Sequence, residues 1–518
     1  MIVSALFVGY LAVFLAVQAG YSLGWRFQHD FPLLHYAAWL MVEHGKVPYR
    51  DFFETSMPGT FGYQALIVRL VGFGEVPLRL LDLGLLAVAS GLLMFILRAF
   101  PWVVRIGAAA LFGLCYLELG PEMSLQRDFI GLLPVAVAVA LALPSDRPAG
   151  PGRWFAIGLS FGLAATVKPH LALGAIVVLP CLWWEFRGHE EFRGHMTKFP
   201  ESGHVSPKFP RFLAAAAVVG LLLPWALALV WLSREDALAP FWEMTRQYLP
   251  LHIDLSGDYR MLAGGERPGY LFWSYLDLGT RAVWLIPILS GLWLGLTAPE
   301  APPERRRTAA MLGLLALVYS FYPVLGGKFW SYHWLPFQFF AVALACTNLA
   351  PGRMTAGRAA LLGLFILVML WDVGPSPAFR EQLAGHPPPP PKQGRVDAMA
   401  GFLRERLRPG DLVQPLDWTG GALHAMLLAR APIATPFLYD YHFYHHLGNP
   451  FVEELRARFL ARLREARPAY ILEVYLDKPW ITGPGSTLEF PALRAWLREQ
   501  YGIAQRGDGY VIYQRRTP

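Results

Sequence analysis

The chain has 518 residues, of which 55% are hydrophobic and only 16% are charged. A soluble domain usually carries about 25% charged residues, so the long apolar runs of this chain predict a polytopic membrane protein. The net charge of +7 does not indicate nucleic-acid binding, because the basic residues lie in short loops between apolar runs and form no single patch.

Eleven apolar runs are long enough, or nearly long enough, to cross a bilayer. They lie near residues 2–20, 79–98, 102–118, 129–144, 154–167, 171–185, 211–232, 272–297, 308–325, 334–350 and 358–373. The predicted fold class is therefore a polytopic α-helical membrane protein of about eleven spans, thirteen at most. A soluble α/β domain is expected after the last span.

Basic residues are unevenly shared between the loops that join these runs. One alternating set of loops carries two or more each, at Arg98 and Arg105, Arg147 and Arg153, 305–307, and Arg353 and Arg358. The other short loops carry one each, at Arg127, Lys168 and Lys328. Because basic loops stay in the cytoplasm, the first set should be cytoplasmic. This places the N-terminus inside, and residues 21–78 and everything after 373 outside.

The first outer loop, residues 21–78, is too long and too patterned for a simple connector. Its segment "FPLLHYAAWLMVEHG" has apolar positions at helical spacing. That pattern predicts an amphipathic helix lying in the membrane interface. A second, shorter helix is expected over 59–72.

Three acids in this loop are candidates for chemistry: Asp30, Asp51 and Glu54. Each has a structural alternative. Asp30 precedes the predicted helix and is able to cap it, and Asp51 and Glu54 stand three residues apart, as in a capping box. For Asp51 the structural role is favoured. For Asp30 and Glu54, the presence of two acids at one membrane edge favours function.

Four basic residues on the same side are candidate phosphate ligands. Lys168 interrupts the apolar "ATVKPHLAL", Lys328 and His333 stand in "GGKFWSYHWLPF", and Arg127 stands in "LQRDF". The alternatives are a snorkelling lysine, an interfacial aromatic belt and a local Arg127–Asp128 ion pair. Acids and cations on one side suit a lipid-phosphate substrate. Cations neutralise a departing phosphate, and a carboxylate accepts the proton of an attacking hydroxyl.

The chain is predicted to divide into three parts. Residues 1–374 form the membrane part, 375–394 a proline-rich linker containing "HPPPPPK", and 395–518 an outer α/β domain. In the outer domain, strand-like "DLVQPL", "AYILEVY" and "GYVIYQR" alternate with helical patterns at 396–407, 451–466 and 491–501.

Two histidine-containing segments invite a metal interpretation. The loop 186–210 contains most of "EFRGHEEFRGH" and two copies of "KFP", and a solvated insertion is the favoured interpretation. His442, His445 and His446 have the spacing of metal ligands on one helix face. A packing or recognition surface is favoured there over a metal site.

These residues resemble the bacterial GT-C-fold glycosyltransferases, membrane enzymes related to protein O-mannosyltransferases and to the aminoarabinose transferases of lipid A. The resemblance consists of an Asp, then "YAA", then "HGKVPYRDFFETSMPG", and it continues through 168–169, 328–333 and the outer domain. The most specific part is "PYRDFFE". The resemblance implies inverting transfer of a sugar from a polyprenyl-phosphate carrier to a lipid, glycan or protein acceptor. The expected location is the outer face of a bacterial inner membrane, among membrane lipids.

The resemblance also implies roles for individual residues. Asp30 would be the catalytic base, and Glu54, with Asp51 beside it, would lie near the donor phosphate or a metal. Donor-phosphate binding would fall to Lys168, Lys328 and His333, with Arg127 as a fourth group. Phe31 stands where many relatives carry a second acid, which leaves open whether a divalent cation takes part. No other cofactor is expected.

Two other classes of function remain as alternatives. A transporter or flippase of lipid-linked sugars would also need outer cations, but would require ionisable groups deep within several spans or an internal repeat. The sequence shows neither feature. A non-catalytic envelope assembly protein would leave Asp30 replaceable.

Overall fold

The computed structural model describes most of the chain. The described residues are 1–144, 149–184, 209–262, 264–299, 301–375, 377–476, 478 and 485–516. Arg147 and nearly all of the insertion predicted at 186–210 lie outside them.

Helices make up most of the described chain. The first eleven are α1 (Ile2–Ser22), α2 (Asp30–His44), α3 (Pro58–Leu70), α4 (Glu75–Ile96), α5 (Trp102–Glu118), α6 (Arg127–Leu141), α7 (Pro151–Val167), α8 (Pro169–Trp184), α9 (Phe209–Arg234), α10 (Leu238–Glu243) and α11 (Leu249–Asp254).

Eleven more helices follow in the second half. They are α12 (Glu266–Leu276), α13 (Leu285–Thr297), α14 (Pro303–Ser320), α15 (Tyr322–Gly326), α16 (Leu335–Ala345), α17 (Ala356–Asp372), α18 (Pro377–Leu383), α19 (Arg395–Arg406), α20 (Ala422–Ala429), α21 (Pro450–Ala466) and α22 (Pro491–Gln500).

The described chain divides into two compact units, each built from three stretches of sequence. The first unit comprises 1–23, 80–228 and 272–384. The second unit comprises 24–79, 229–271 and 385–518. The predicted domain limits at 374 and 395 stay a prediction.

Four stretches within the described ranges are long and apolar enough to cross a membrane by length and composition. They are Ile2–Ser22, Glu75–Ile96, Arg211–Arg234 and Pro303–Gly326. The other predicted spans coincide with shorter helices, so the count of eleven stays a prediction.

The run 272–297 is not one continuous helix, contrary to the sequence-based interpretation. α12 ends at Leu276 and α13 begins at Leu285. The residues between them include Arg281, which forms ion pairs with Glu118 at 2.5 Å and with Asp372 at 3.0 Å. The helix is interrupted where Leu278, Gly279 and Thr280 have positive φ angles of 48°, 67° and 70°, which a right-handed helix does not accommodate.

In the first unit, α7 and α9 approach each other through glycines. A Cβ atom at Gly158 would lie 2.0 Å from the carbonyl oxygen of Ala217, and one at Gly162 would lie 2.4 Å from that of Leu221. No other residue fits at these positions without separating the helices. Small residues at a close helix crossing are typical of membrane helix bundles.

In the second unit, α2 is a buried helix. Its residues from Asp30 to Leu40 are all buried, and the helix packs against α3 and α20. The prediction of an amphipathic helix lying in the interface is therefore wrong, because protein covers both the polar and the apolar sides of these three turns. The second predicted helix, at 59–72, is confirmed as α3.

The second unit also contains a four-stranded sheet. Its strands are β1 (Val413–Leu416), β2 (Tyr470–Val474), β3 (Tyr501–Gly507) and β4 (Tyr510–Arg515), in the spatial order β1-β2-β4-β3. β1 and β2 are parallel, and β4 runs antiparallel to both of its neighbours. The three strands and three helices predicted in this region are present, while β3 and α20 were not predicted.

Candidate functional site

The first group of candidate residues lies in the first unit and centres on an ion pair. Lys168 follows the last residue of α7 in extended conformation, and Pro169 starts α8. The Lys168 Nζ lies 2.7 Å from Oδ2 of Asp128, whose carboxylate is fully buried. The Tyr322 hydroxyl donates to Oδ1 of Asp128 at 2.6 Å. A buried acid thus holds Lys168 at a fixed point, in contrast to the alternative of a snorkelling lysine.

Aromatic and imidazole rings surround this ion pair. The His170 ring centroid lies 4.4 Å from that of Tyr322, and the His333 centroid lies 6.1 Å from it. The Lys168 Nζ lies 5.6 Å from the centre of the Tyr332 ring. The structure therefore brings Lys168 and His333, two of the four predicted phosphate ligands, into one cluster.

The other two predicted phosphate ligands are neighbours of this cluster. The His333 Nδ1 lies 2.8 Å from the backbone oxygen of Lys328, whose side chain is buried with its Nζ 6.0 Å from the Trp330 ring centre. Arg127 is the first residue of α6 and directly precedes Asp128. The predicted Arg127–Asp128 ion pair stays a prediction.

The second group lies in the second unit and includes Asp30. Asp30 is the first residue of α2 and is 6% exposed. Its Oδ1 lies 3.0 Å from Nδ1 of His29, which occupies the N-cap position with a φ of +60°. Asp30 is therefore not the N-cap residue of α2. The N-cap is His29, and Asp30 already belongs to the first turn of the helix. The helix dipole stabilises a carboxylate anion in the first turn.

Asp51 has a structural role, which the sequence analysis favoured. It does not cap a helix. Its Oδ2 accepts hydrogen bonds from the Val47 amide at 2.7 Å and from Arg50 at 2.9 Å. Burial alone would raise the pKa of Asp51, but these hydrogen bonds hold that pKa below its ordinary value. Asp51 thus closes the turn as a carboxylate.

Glu54 joins two segments of the second unit. Its Oε1 accepts from the Thr55 amide at 2.8 Å and from the amide and hydroxyl of Ser56 at 2.9 and 3.0 Å. Its Oε2 accepts from the Tyr439 hydroxyl. The neighbouring Phe53 amide donates to the carbonyl of Pro436 at 2.7 Å. The capping-box alternative is therefore wrong for Glu54, which fastens the loop to residues 436–439.

These bonds also bear on metal binding. A carboxylate has about four lone-pair sites, and protein donors already occupy most of those on Glu54. In the ranges that the structure describes, no group of three or more His, Cys, Asp or Glu side chains could hold a metal ion. The donor set around Glu54 therefore does not fit a metal. Dependence on a divalent cation stays a prediction.

The histidine segment of the second unit does not form the helix that metal-ligand spacing requires. Only Tyr441–Phe443 is helical, as a single 3-10 turn, and His446 has a φ of +55°. His442 is buried among aromatic rings, with centroids 4.6 Å from Tyr248 and 4.7 Å from Tyr439. Burial lowers the pKa of His442 well below its ordinary value, so the ring is neutral.

Sequence reasoning missed Tyr322 and Tyr439 and considered Asp128 only as a partner of Arg127. Asp128 left a usable signal, because an acid at the start of an apolar run needs a partner. The two tyrosines left none, since each acts through a contact with a residue far away in the sequence.

Comparison with known proteins supports the fold. No protein-family model and no curated protein sequence matches the chain. Two solved structures of ArnT from Cupriavidus metallidurans match the chain, one bound to undecaprenyl phosphate and one in the apo state. Their TM-scores are 0.57 and 0.56, at 14% and 15% identity, covering 98% and 99% of this chain and 97% and 98% of theirs.

A larger enzyme gives a weaker match. The arabinofuranosyltransferase AftD from Mycobacteria aligns with a TM-score of 0.50 and 12% identity, over 98% of this chain and 40% of its own. At these identities the likeness shows the fold. The resemblance read from the sequence is thereby confirmed: the chain has the fold of the GT-C glycosyltransferases.

Proposed function

We propose that the protein is a glycosyltransferase that moves a sugar from a polyprenyl-phosphate carrier to an acceptor hydroxyl. The observation that carries the proposal is the Lys168–Asp128 ion pair with its histidines, in a chain that aligns over almost its whole length with an enzyme solved with undecaprenyl phosphate. We propose that the protein lies in a bacterial inner membrane and acts at the outer face, with its N-terminus in the cytoplasm.

In this proposal the cations bind the donor phosphate. The Lys168 ammonium donates to Oδ2 of Asp128 at 2.7 Å, and an ammonium carries three N–H donors in all. Asp128 and Tyr322 fix the ammonium in position, so it neutralises developing phosphate charge without reorganising. Lys328 and Arg127 supply further donors to the phosphate oxygens. His333 uses its Nδ1–H on the Lys328 carbonyl, so it donates to phosphate through Nε2 only when the phosphate holds the ring in its protonated form.

Asp30 is the proposed general base. It accepts the proton of the acceptor hydroxyl while the hydroxyl oxygen bonds to the anomeric carbon. The bond from that carbon to the phosphate oxygen breaks, and the electron pair leaves with the polyprenyl phosphate. Attack on the face opposite the leaving group inverts the anomeric configuration. Glu54 positions the loop after Asp51 and takes no part in proton transfer.

The acceptor is a lipid, a glycan or a protein, and the step is tested with purified protein. Labelled polyprenyl-phosphate sugar and an extract of envelope lipids and glycans should give a labelled product and free polyprenyl phosphate. Mass analysis of lipids and glycans from cells lacking the protein should show the acceptor without its sugar.

A transporter or flippase gives a different result in the same assay. It would move the labelled donor across vesicle membranes and leave its phosphate–sugar bond intact. Transport without cleavage would refute the proposed function.

A further inference from the structure

The outer domain carries a large groove that the proposed chemistry does not use. The groove has a volume of about 700 Å³ and lies between α22 and strand β3. The lining of this basic groove includes Arg494, Arg498, Arg516, Tyr501, Tyr513, Leu488, Leu497, Ile503 and Glu489. Its size is that of a site for a ligand of several rings.

Charge in the basic groove is only partly compensated. Arg494 donates two hydrogen bonds to Glu473, at 2.5 and 2.8 Å, so its charge is balanced. Arg498 makes no hydrogen bond or ion pair with any described residue. Arg516 uses only its Nε, which donates to the Tyr501 carbonyl at 3.2 Å. Glu489 is the one acid in the lining, which leaves an excess of guanidinium groups with unused donors.

Unused guanidinium forks are suited to phosphate and carboxylate groups, which they bind through two parallel hydrogen bonds. The wall of the groove between these arginines is apolar, and Leu488 and Ile503 are about half exposed, at 55% and 49%. A ligand that fills the groove therefore has anionic groups and apolar faces within one molecule. Sugar rings substituted with phosphate or carboxylate have this character.

We propose that the basic groove binds a phosphorylated or carboxylated saccharide, as part of the acceptor. The inference rests on the proposed glycosyltransferase function. A concave site fits a saccharide better than a membrane surface. A peptide strand is disfavoured, because the irregular register between Ile503 and Gln505 breaks the edge of β3 where such a strand would pair.

The test measures binding, with the full-length protein in detergent. Pentamannosyl phosphate is the probe, and unphosphorylated mannopentaose is its neutral counterpart. The phosphorylated probe should bind at least about tenfold more tightly, since a charge-assisted hydrogen bond contributes that much or more. Equal affinity for the two would overturn the proposal.

Arginine variants locate the binding. Arg498→Ala and Arg516→Ala should each weaken binding of the phosphorylated probe by about tenfold or more. Arg506→Ala is the matched control, because Arg506 is an exposed arginine on β3 outside the groove lining and should leave the affinity unchanged. Unchanged affinity in both groove variants would overturn the proposal.

Competition identifies the class of ligand. Hexaglutamate and phosphatidylglycerol should fail to displace the phosphorylated probe at matched charge concentration, and displacement by either would overturn the saccharide assignment. The binding should persist in the Asp30→Asn variant. If the wild-type protein binds the probe but transfers no sugar, the proposed function fails while the groove assignment stands.

Discussion

Asp30 is the residue whose replacement best separates chemistry from folding. Asp30→Asn keeps the shape of the side chain but removes its basicity, and a general base typically supplies about 10²–10⁴-fold in rate. We expect sugar transfer to fall by that factor. The loss of a charge from the first turn of α2 should cost only about 1 kcal/mol of stability. Transfer rate and thermal unfolding of the purified variant measure the two effects.

A control on the same helix is available. Glu43 lies in the last turn of α2, where its side chain accepts from Trp39 at 2.7 Å and faces Arg430 at 3.4 Å. Glu43→Gln should leave transfer close to the wild-type rate. Near-normal transfer by Asp30→Asn would defeat the assignment of the base, even in a functioning glycosyltransferase.

Lys168 requires a different design, because its partner is buried. A surface lysine contributes little to stability, so the sequence alone predicts that Lys168→Ala spares folding. The structure changes this expectation. The substitution leaves the fully buried Asp128 without its ammonium partner at 2.7 Å, and breaking a buried pair costs about 3–5 kcal/mol. We expect a clear drop in the thermal stability of Lys168→Ala.

A double substitution separates the two roles of Lys168. Lys168→Gln combined with Asp128→Asn removes both charges and leaves no buried ion unpaired. We expect the stability to recover to within about 1 kcal/mol of wild type. Donor affinity should remain weakened by about tenfold or more, because the charge-assisted phosphate contact is still missing. A titration with polyprenyl-phosphate sugar that gives wild-type affinity would reduce Lys168 to a structural residue.

Strand β2 and helix α22 are joined by Glu473, and this link predicts a pH dependence. Burial alone would raise the pKa of Glu473, but hydrogen bonds from Arg494 and Tyr513 hold it below its ordinary value. A carboxylate with a lowered folded-state pKa stabilises the fold above the unfolded-state pKa of about 4.3. That stability is lost as the pH falls through the folded-state pKa.

The corresponding measurement compares Tm at about pH 7 with Tm at about pH 3, well below the unfolded-state pKa. The wild-type chain should lose more Tm on acidification than Glu473→Gln does, since glutamine does not titrate. Equal losses in the two proteins would show that this link carries no part of the acid sensitivity.

The elements that sequence reasoning found and missed differ in burial. β1 and β2 are buried along their whole length and are mostly apolar, with one polar residue each, Gln414 and Glu473, so they were predictable. Most of β3 is exposed or half-buried, and its "YGIAQRG" lacks the alternation that marks a strand. The sequence also did not show that α2 is buried, because its burial depends on contacts with α20, almost 400 residues away in the sequence.

Sequence reasoning was limited in the same way at the candidate site, where the contacts join residues that are far apart in the chain. Sequence patterns identified the acids and cations, because charged residues in apolar surroundings are conspicuous. They did not identify which groups pair. The Lys168–Asp128 contact spans 40 residues, and the Glu54–Tyr439 contact spans 385. Only the fold brings such residues together.

For the molecule as a whole, the topology across the membrane decides whether the acids and cations act on one side. Positive loops predict that residue 200 is cytoplasmic and residue 395 is outside. That prediction requires an odd number of crossings between them, and five runs were assigned there. The run 272–297 contributes a continuous apolar helix only over Ala282–Thr297, a 3-10 turn that leads into α13. Sixteen residues measure about 24 Å as an α-helix, against a hydrocarbon core of about 30 Å.

Reporter fusions at residues 200 and 395 test this point directly. We expect an alkaline phosphatase fusion to be active at 395 and inactive at 200, with the reverse pattern for a cytoplasmic fluorescent reporter. A shortfall of about 6 Å is tolerable, because local thinning of the bilayer or snorkelling of flanking residues offsets it at modest cost. Reporters on the same side would mean that Ala282–Thr297 does not cross, or that another run was miscounted. The assignment of Lys168 and Asp30 to one outer face would then fail.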